Sequence, residues 1–244
     1  MGRPVVCHNK NPRYYVERHL YDFFQEVLAE KRGGVLIEVG CGGSEWLPFF
    51  VKEFQFQVTG LDYSAAGCLL AESILKREQV KGTIINGDLF AHYSDLEGKF
   101  DVLITMGLVE HFDNSSEIIS ALRRFLKPGG TMITIIPNLL SFLGPVQKII
   151  NIQIYNAHLA INREALVAAH KRAGMRVLKS GYSVLCNLGL LNFNGLLPQH
   201  PHLWKIIQNI LGICNVGSWF AELIFPFLKP NRVTSPYIIC IAER

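Results

Sequence analysis

The sequence predicts an α/β fold built on a doubly wound, mostly parallel β-sheet. Short apolar runs that suit buried strands alternate with amphipathic stretches that suit helices. A glycine-rich turn joins the first run to the next helix, and acidic residues stand where the following strands end. The length of 244 residues allows one large domain or one domain with a sizeable insertion.

The elements follow in chain order from the spacing of the apolar residues. Recurrence every three or four residues predicts helices. These are residues 14–31, 45–54, 64–80, 114–126 and 162–173. Short apolar runs predict strands, most of them in a buried parallel sheet. These are residues 35–39, 56–61, 83–86, 100–105, 131–136, 175–180 and 236–242. Residues 127–130, Lys-Pro-Gly-Gly, are a turn signal.

Two apolar stretches do not fit the alternation. Residues 138–161 follow a strand end and are interpreted as a lid insertion, since ligands bind beyond the carboxyl ends of such strands. Residues 181–235 separate the last two strands and are interpreted as a second apolar insertion or lid. The rest divides into an N-terminal cap helix (1–34), a core (35–180) and the last strand (236–244).

The composition excludes several classes of protein. Apolar residues make up 49% and charged residues 18% of the chain, which excludes a disordered or coiled-coil protein. The net charge is only +4 and no dense run of Lys or Arg occurs, so we expect no nucleic-acid partner. Six scattered cysteines without a CxxC pair argue against a zinc cage and a secreted disulfide framework. The polar N-terminus has no apolar signal region, so we expect a cytoplasmic protein.

The glycine-rich turn at residues 38–44, Glu-Val-Gly-Cys-Gly-Gly-Ser, suits a bound phosphate or carboxylate. Glycines let a ligand approach the main chain, and the next helix offers free N–H groups at its start. A dinucleotide fingerprint would have a third glycine where this chain has Glu45, which disfavours an NAD-dependent dehydrogenase. A tight structural turn without a ligand is the alternative explanation.

Two carboxylates follow at the next strand ends. Asp62, about 20 residues after the glycines, can accept hydrogen bonds from both hydroxyls of a ribose. Asp88 ends the third strand and can accept from an adenine amino group. Either acid alone is equally explained as a solvated cap, but three strand ends carrying this set in order are rarely a coincidence.

These motifs resemble those of the class I S-adenosylmethionine-dependent methyltransferases, of the ubiquinone-biosynthesis-like and small-molecule type. The resemblance rests on residues 38–43, 61–64, 87–89, 100–112 and 126–130. It covers roughly residues 14–137 and returns at 158–180. It implies a Rossmann-like sheet of seven strands, mostly parallel with an antiparallel last strand. It also implies S-adenosylmethionine as the cofactor and S-adenosylhomocysteine as the product.

The resemblance assigns roles to individual residues. The backbone of the glycine turn would face the methionine part of the cofactor, and Glu38 would fix that loop. Asp62 would hold the ribose diol and Asp88 the adenine amine, while Met106 and Leu108 would line the site near the sulfonium. The complete predicted set is Glu38, Gly40, Cys41, Gly42, Asp62, Tyr63, Asp88, Leu89, Met106 and Leu108.

His111, in the loop after the fourth strand, is the candidate general base. A hydroxyl acceptor has to lose its proton, and a neutral histidine near pH 7 can take it. Members of the family that modify quinones or sugars carry a Glu-His pair in this loop, which Glu110 and His111 match. Alternatively the pair only shapes the cofactor pocket, or Glu110, His111 and Asp113 bind a divalent ion. Because further ligands are not evident, we assign no metal.

His158 is the third candidate catalytic residue, since family members often carry a histidine before the following helix. It would line the acceptor side of the site or act as the base. Capping the entry of the helix at 162–173 is the structural alternative. Tyr14 and Tyr15, at the start of the first helix, would cover the cofactor or pack in the core.

The expected reaction is methyl transfer to a small molecule, most of all to a hydroxyl oxygen of a sugar, a lipid-linked glycan or another partly apolar metabolite. N-methylation and a catalytically silent partner subunit are the alternatives. Residues 181–229 carry few charges and have three open interpretations, a lid, a homodimer interface and a peripheral membrane contact. Polar residues interrupt the stretch, which argues against a membrane span. We therefore expect a location in the cytoplasm or at the membrane periphery.

Overall fold

Seven strands form one mixed sheet in the computed structural model, which describes residues 15–193, 201–225 and 227–244. The strands are β1 (Val35–Val39), β2 (Gln57–Asp62), β3 (Thr83–Asn86), β4 (Phe100–Met106), β5 (Leu126–Pro137), β6 (Arg176–Ser183) and β7 (Tyr237–Glu243). Their order across the sheet is β3-β2-β1-β4-β5-β7-β6. Strands β1 to β5 pair in parallel, whereas β7 runs antiparallel to both of its neighbours. The predicted fold class is confirmed, including the antiparallel last strand.

Eight α-helices lie within the described residues. They are α1 (Tyr15–Leu28), α2 (Trp46–Phe54), α3 (Ala65–Arg77), α4 (Ser115–Arg123), α5 (Leu143–Ile150), α6 (Ile152–Asn156), α7 (Arg163–Arg172) and α8 (Pro201–Ile224). Tyr14, which the sequence predicts to begin the first helix, lies outside the described residues. Tyr15 is 1% exposed, so it packs in the core, as one of its two interpretations predicted.

The sheet is covered on both faces, because alternate side chains of each strand enter two different buried clusters. On β1, Leu36 joins the cluster that contains residues of α1 and α2, and Ile37 joins the cluster that contains residues of α4 and α7. On β4, Val102 and Leu103 divide in the same way. Because β1 to β4 pair in parallel, their carboxyl ends meet at one edge of the sheet. The loops that carry the sequence motifs leave the sheet at this edge.

Polar side chains at three of the predicted helix starts accept hydrogen bonds from N–H groups of the first turn. They are Ser64 before α3, Asn114 before α4 and Asn162 before α7. Such a cap satisfies a donor that has no partner within the helix, and replacing it with alanine typically costs about 1 kcal/mol.

Two strands are longer than predicted because their partners are remote in sequence. β5 begins at Leu126, so the predicted turn at 127–130 is part of the strand. The N–H of Arg244, the last residue of the chain, donates to the carbonyl of Gly130 at 2.9 Å. β6 continues to Ser183 because its pairing with β7 extends that far.

The two apolar stretches contain helices and are tied to each other. Helices α5 and α6 lie between β5 and α7, and α8 lies between β6 and β7. The Asn138 side chain donates to the carbonyl of Ser235 at 2.9 Å. Gln147 of α5 accepts from the N–H of Asn192 at 2.7 Å and donates to its carbonyl at 3.2 Å. Among the described residues, no helix combines the length and the apolar character that crossing a membrane requires.

Tyr15 links α1 to the second apolar stretch. Its hydroxyl donates to Glu222 of α8 at 2.6 Å and accepts from the N–H of Leu185 at 3.1 Å. Burial and the neighbouring carboxylate raise the pKa of Tyr15, so the hydroxyl keeps the proton that it donates. His19 also contacts Glu222, at 2.8 Å.

Tyr15→Phe is expected to lower the free energy of unfolding by about 1–3 kcal/mol, because the buried Leu185 N–H and the Glu222 carboxylate lose a partner. Urea denaturation followed by circular dichroism measures the change. Tyr182→Phe on β6 is the matched control, since the Tyr182 hydroxyl makes no hydrogen bond within the described part of the chain. Equal effects of the two substitutions would contradict the proposed link.

Candidate functional site

The glycine turn after β1 folds back onto β2. Gly40 adopts a φ of +79°, and its N–H donates to the carbonyl of Leu61 at 2.8 Å. A Cβ added to Gly42 would lie 3.0 Å from an oxygen of Asp62. The turn therefore depends on glycine for a left-handed conformation at one position and for close approach at the other.

Two of the predicted cofactor residues, Cys41 and Glu38, face the interior. Cys41 is 0% exposed, so its thiol does not reach the cleft. Glu38 is also buried and accepts a hydrogen bond from the Ser44 hydroxyl at 2.7 Å. Burial raises the pKa of Glu38 to about 7 against the opposing effect of that hydrogen bond, and the charge of Asp62 raises it further. Glu38 thus links the end of β1 to Ser44 at the end of the glycine turn.

Asp62 stands at the end of β2 beside the turn. One carboxylate oxygen accepts from the N–H of Gly42 at 2.7 Å, and the other accepts from the N–H of Ser64 at 2.7 Å. A carboxylate has about four lone-pair sites, so Asp62 can still accept from the hydroxyls of a ligand. This meets the geometric requirement of the predicted ribose contact.

A cleft of about 460 Å³ opens at the ends of β1 to β4. It is lined by Val39, Gly40, Leu61, Asp62, Tyr63, Gly87, Asp88, Leu89, Phe90, Leu108, His111 and Phe112. Six of the ten predicted cofactor residues are among them, together with His111. The structure therefore brings residues from four separate strand ends to one cavity, whose volume lies in the usual range of ligand pockets.

Two aromatic residues of the cleft were missed by the sequence analysis. Phe90 and Phe112 form an edge-to-face pair with their ring centroids 5.8 Å apart. Phe90 follows Asp88 by two residues and donates its N–H to that carboxylate at 2.9 Å, and Phe112 follows His111 directly. In the sequence, only their position next to predicted site residues could have indicated that they line the cleft. Such rings suit contact with a planar heterocycle.

A second cavity, of about 340 Å³, lies on the other side of the β4 end. It is lined by Leu20, Trp46, Met106, Gly107, Glu110, Ile135, Ile136, Pro137, Leu139, Gln147, Ile154, His158, Leu190, Asn192 and Tyr237. Met106 lines this cavity and not the cleft, which is lined by six of the other predicted residues. Met106 and Leu108 pack against different core clusters, so their side chains leave the strand end on opposite sides.

His111 lies in a short 3₁₀ turn, Val109–His111, between the two cavities. Its Nδ1 lies 2.9 Å from the carbonyl oxygen of Ala157. Because a carbonyl can only accept, Nδ1 carries the proton, and Nε2 of the neutral ring has a free lone pair. Burial lowers the pKa of His111, although the hydrogen bond to Ala157 opposes this. Near neutral pH the ring is therefore uncharged and in the tautomer that a general base requires.

His158 is held beside His111, with the ring centroids 4.4 Å apart. The N–H of Leu159 donates to the carbonyl of Glu110 at 2.7 Å, which ties this segment to the 3₁₀ turn. The His158 Nδ1 lies 2.6 Å from the carbonyl of Ile154. The expectation that His158 caps α7 is wrong, because Asn162 provides that cap.

Glu110 is 1% exposed, and neither of its carboxylate oxygens has a hydrogen-bond partner among the described residues. Burial raises its pKa to about 7. One ligand atom each from Glu110, His111 and His158 lie within 4.8 Å of one another, a group that could hold a metal ion. Asp113, the third member of the metal set considered from the sequence, is not part of this group. A buried carboxylate beside two imidazole rings places several hydrogen-bond acceptors close together. A hydrogen-bond donor or a cation between them would stabilise this arrangement.

The chain is similar to known methyltransferases in sequence and in fold. The profile of a family described as "Methyltransferase domain" matches residues 13–180. The ubiquinone biosynthesis O-methyltransferase of Shewanella halifaxensis is 28% identical over 129 residues, which are 53% of this chain and 52% of that protein. The chain thus spans about half the length of the curated relatives that it matches.

Two solved structures show the same fold. One is a putative sarcosine dimethylglycine methyltransferase from Galdieria sulphuraria, with a TM-score of 0.64, 13% identity and coverage of 98% of this chain and 92% of that one. The other is the geranyl diphosphate C-methyltransferase from Streptomyces coelicolor, in complex with Mg²⁺, geranyl diphosphate and S-adenosylhomocysteine. Its TM-score is 0.59 at 15% identity, with coverage of 100% and 89%.

Proposed function

The chain belongs to the methyltransferase family, specifically to its class I S-adenosylmethionine-dependent members, and we propose that it methylates a hydroxyl oxygen of a partly apolar small molecule. One observation carries this proposal. The cleft and the apolar cavity meet at the 3₁₀ turn, where His111 lines the first and Glu110 lines the second. A donor molecule and an acceptor molecule could therefore meet at these two side chains.

The cleft suits S-adenosylmethionine. Asp62 and Asp88 offer carboxylates at its rim, where a ribose and an adenine amine need acceptors, and Leu89 and Phe90 offer apolar contact for the base. Gly40 also lines the cleft, where its backbone can contact the cofactor. When bound, the cofactor supplies an electrophilic methyl group on a sulfonium. The protein's own contribution is then to orient the acceptor and exclude water, which can be worth about 7–11 kcal/mol.

We propose that His111 Nε2 takes the proton of the acceptor hydroxyl. The carbonyl of Ala157 holds the opposite ring nitrogen, so the orientation and tautomer of the base are set before the acceptor binds. Glu110 and His158 lie close enough to hold the acceptor or stabilise the charged ring of His111. We therefore propose His111 as the base and Glu110 and His158 as its supporting residues.

The walls of the second cavity favour an acceptor with an apolar part. Most of its lining side chains are apolar, and Glu110 and His158 are among the polar ones. Leu139, Gln147 and Ile154 come from the stretch 138–161, which supports its proposed role as a lid. At about 340 Å³ the cavity is near the lower end of the range for ligand pockets. It would enclose the reacting end of a larger acceptor, such as one sugar of a lipid-linked glycan.

An amine acceptor is the second candidate, and Glu110 is the observation that favours it. A buried carboxylate without a partner among the described residues would attract an ammonium group. The acceptor would then lose a proton from nitrogen before methylation. The site of the new methyl group in the product distinguishes the two reactions.

The proposed function is tested first by ligand binding and then by product identification. S-adenosylhomocysteine is expected to raise the melting temperature and NAD is not, since Glu45, paired with Arg77 at 3.0 Å, stands where a dinucleotide site has glycine. Transfer of labelled methyl from the cofactor into a cell extract, followed by mass spectrometry, should give an O-methyl product. Absence of any response to S-adenosylhomocysteine, or an N-methyl product, would contradict the proposal.

The labelled methyl-transfer assay also distinguishes catalysis by His111 as a base from catalysis by a bound metal ion. If His111 acts as a base, turnover is expected to survive removal of divalent ions by EDTA. Loss of turnover with EDTA and its recovery with Mg²⁺ or Mn²⁺ would assign Glu110, His111 and His158 to an ion instead.

A further inference from the structure

The long helix α8 presents an apolar stripe to the solvent. Six of its exposed positions recur every three or four residues, which places them on one side of the helix. They are Ile206, Ile210, Ile213, Gly217, Phe220 and Ile224. Ile213 is 71% exposed, and beyond the helix Phe227 is 74% exposed. A contiguous exposed apolar surface of this kind marks an interaction site.

The opposite side of α8 packs on the body of the protein. Trp219 packs against the core cluster that contains Tyr15. Glu222, the one acidic residue between positions 181 and 235, also points inward, to Tyr15 and His19. Its side chain is only 22% exposed. The packing thus removes the single carboxylate of this stretch from the outward surface.

The charges that remain on the outside are positive. Lys205 near the start of α8 and Lys229 and Arg232 after its end are all exposed. The outward face therefore combines an apolar stripe about 27 Å long, from Ile206 to Ile224 at 1.5 Å per residue, with basic groups near both ends. This combination is typical of helices that lie in the plane of a membrane surface that contains anionic lipid.

We propose that the apolar side of α8 docks this protein on the surface of a membrane that contains anionic lipid, with the helix lying in the interface. A second copy of the chain fits less well. Antiparallel pairing of two α8 helices would bring Lys205 against the copy's Lys229, and parallel pairing would bring Lys205 against Lys205. No carboxylate of residues 201–225 or 227–235 remains outside to offset that repulsion, since Glu222 points inward.

The docking surface adjoins the proposed acceptor cavity. α8 contacts the 3₁₀ turn Leu188–Leu190, and Leu190 lines that cavity. Docking would therefore hold the cavity close to the lipid surface. This consequence rests on the proposed function, whereas docking itself does not.

Sedimentation with vesicles tests the proposal on the full chain. Vesicles of phosphatidylcholine mixed with phosphatidylglycerol are expected to bind the protein, and vesicles of phosphatidylcholine alone to bind it more weakly. Ile213→Ser should weaken binding roughly tenfold or more, because a buried isoleucine contributes at least that factor. Lys205→Gln with Lys229→Gln should weaken binding to the mixed vesicles by roughly fivefold per lysine, and this part should vanish at high salt.

Two further variants sharpen the test. Leu69→Ser on α3 removes an apolar side chain that is 67% exposed, close to the 71% of Ile213, and should leave binding unchanged. Gly217→Leu adds to the stripe at a position where a new Cβ meets nothing within 4 Å, and should tighten binding. Circular dichroism and S-adenosylhomocysteine binding should be the same for all variants, which separates docking from the cofactor site.

Three results would overturn the proposal. The first is no sedimentation with the mixed vesicles. The second is an equal effect of Ile213→Ser and Leu69→Ser. The third is a dimer in sedimentation equilibrium that Ile213→Ser dissociates while vesicles bind neither form, which would assign the stripe to a second copy of the chain.

Discussion

Replacing His111 with alanine is expected to lower kcat for methyl transfer by about 10²–10⁴-fold, the usual contribution of a general base. Binding of S-adenosylhomocysteine should change little, because the cleft keeps Asp62 and Asp88. Turnover with labelled cofactor and isothermal calorimetry measure the two quantities separately. Equal losses of turnover and binding would show that His111 shapes the cofactor pocket and is not the base.

His111→Asn tests the role of the base more specifically than His111→Ala. The asparagine amide can still donate to the carbonyl of Ala157, so the anchor of the turn is retained while the basic nitrogen is lost. A loss as large as that of His111→Ala would assign the effect to the base. His92→Ala removes a histidine that is 80% exposed and serves as the matched control, with activity expected to stay unchanged.

The pH dependence of turnover follows from the same residue. A base acts in its unprotonated form, and burial lowers the pKa of His111 below the usual histidine value of about 6.5. Turnover should therefore persist as the pH falls through 6.5 and decline only at a more acidic pH. This acidic limb should be absent from the residual activity of His111→Asn. A limb at the same pH in both proteins would belong to another group.

Replacing Asp62 with alanine is expected to weaken S-adenosylhomocysteine binding by at least about 100-fold. Hydrogen bonds to a charged group contribute about 1.5–3 kcal/mol each, and the proposed ribose contact contains two of them. The substitution also removes the acceptor of the Gly42 and Ser64 N–H groups, which loosens the glycine turn. Calorimetric titration with S-adenosylhomocysteine measures the change.

Asp95→Ala is the matched control for Asp62, because Asp95 is an exposed acid that does not line the cleft. Its substitution should leave the affinity unchanged. The melting temperature of the ligand-free Asp62→Ala protein reports the loosening of the turn separately from the ribose contact. An unchanged affinity of Asp62→Ala would refute the assignment of this residue to the cofactor.

Much of the cleft proposed to hold the cofactor could be predicted because its residues belong to local motifs. The glycine turn, Asp62 and Asp88 each follow a recognisable strand, and parallel strands bring their carboxyl ends to one edge of the sheet. Phe90 and Phe112 were missed because an aromatic residue carries no signal of its own until its neighbours in space are known. The sequence could not show that Met106 lines the second cavity and not the cleft, because the side on which a residue leaves a strand end depends on the packing beneath it.

The sequence by itself determined the fold class, the succession of strands and helices along the chain and the candidate base, since these depend on periodicity and on motifs within a few residues. Only the tertiary structure decided which groups meet. Hydrogen bonds between residues 46 and 49 positions apart hold His158 beside His111, and they also hold the tautomer of His111. Contacts more than 200 positions apart turn Glu222 inward and leave α8 with an apolar outer side. Such pairings arise from the folded topology, and local sequence patterns do not indicate which remote residues will meet.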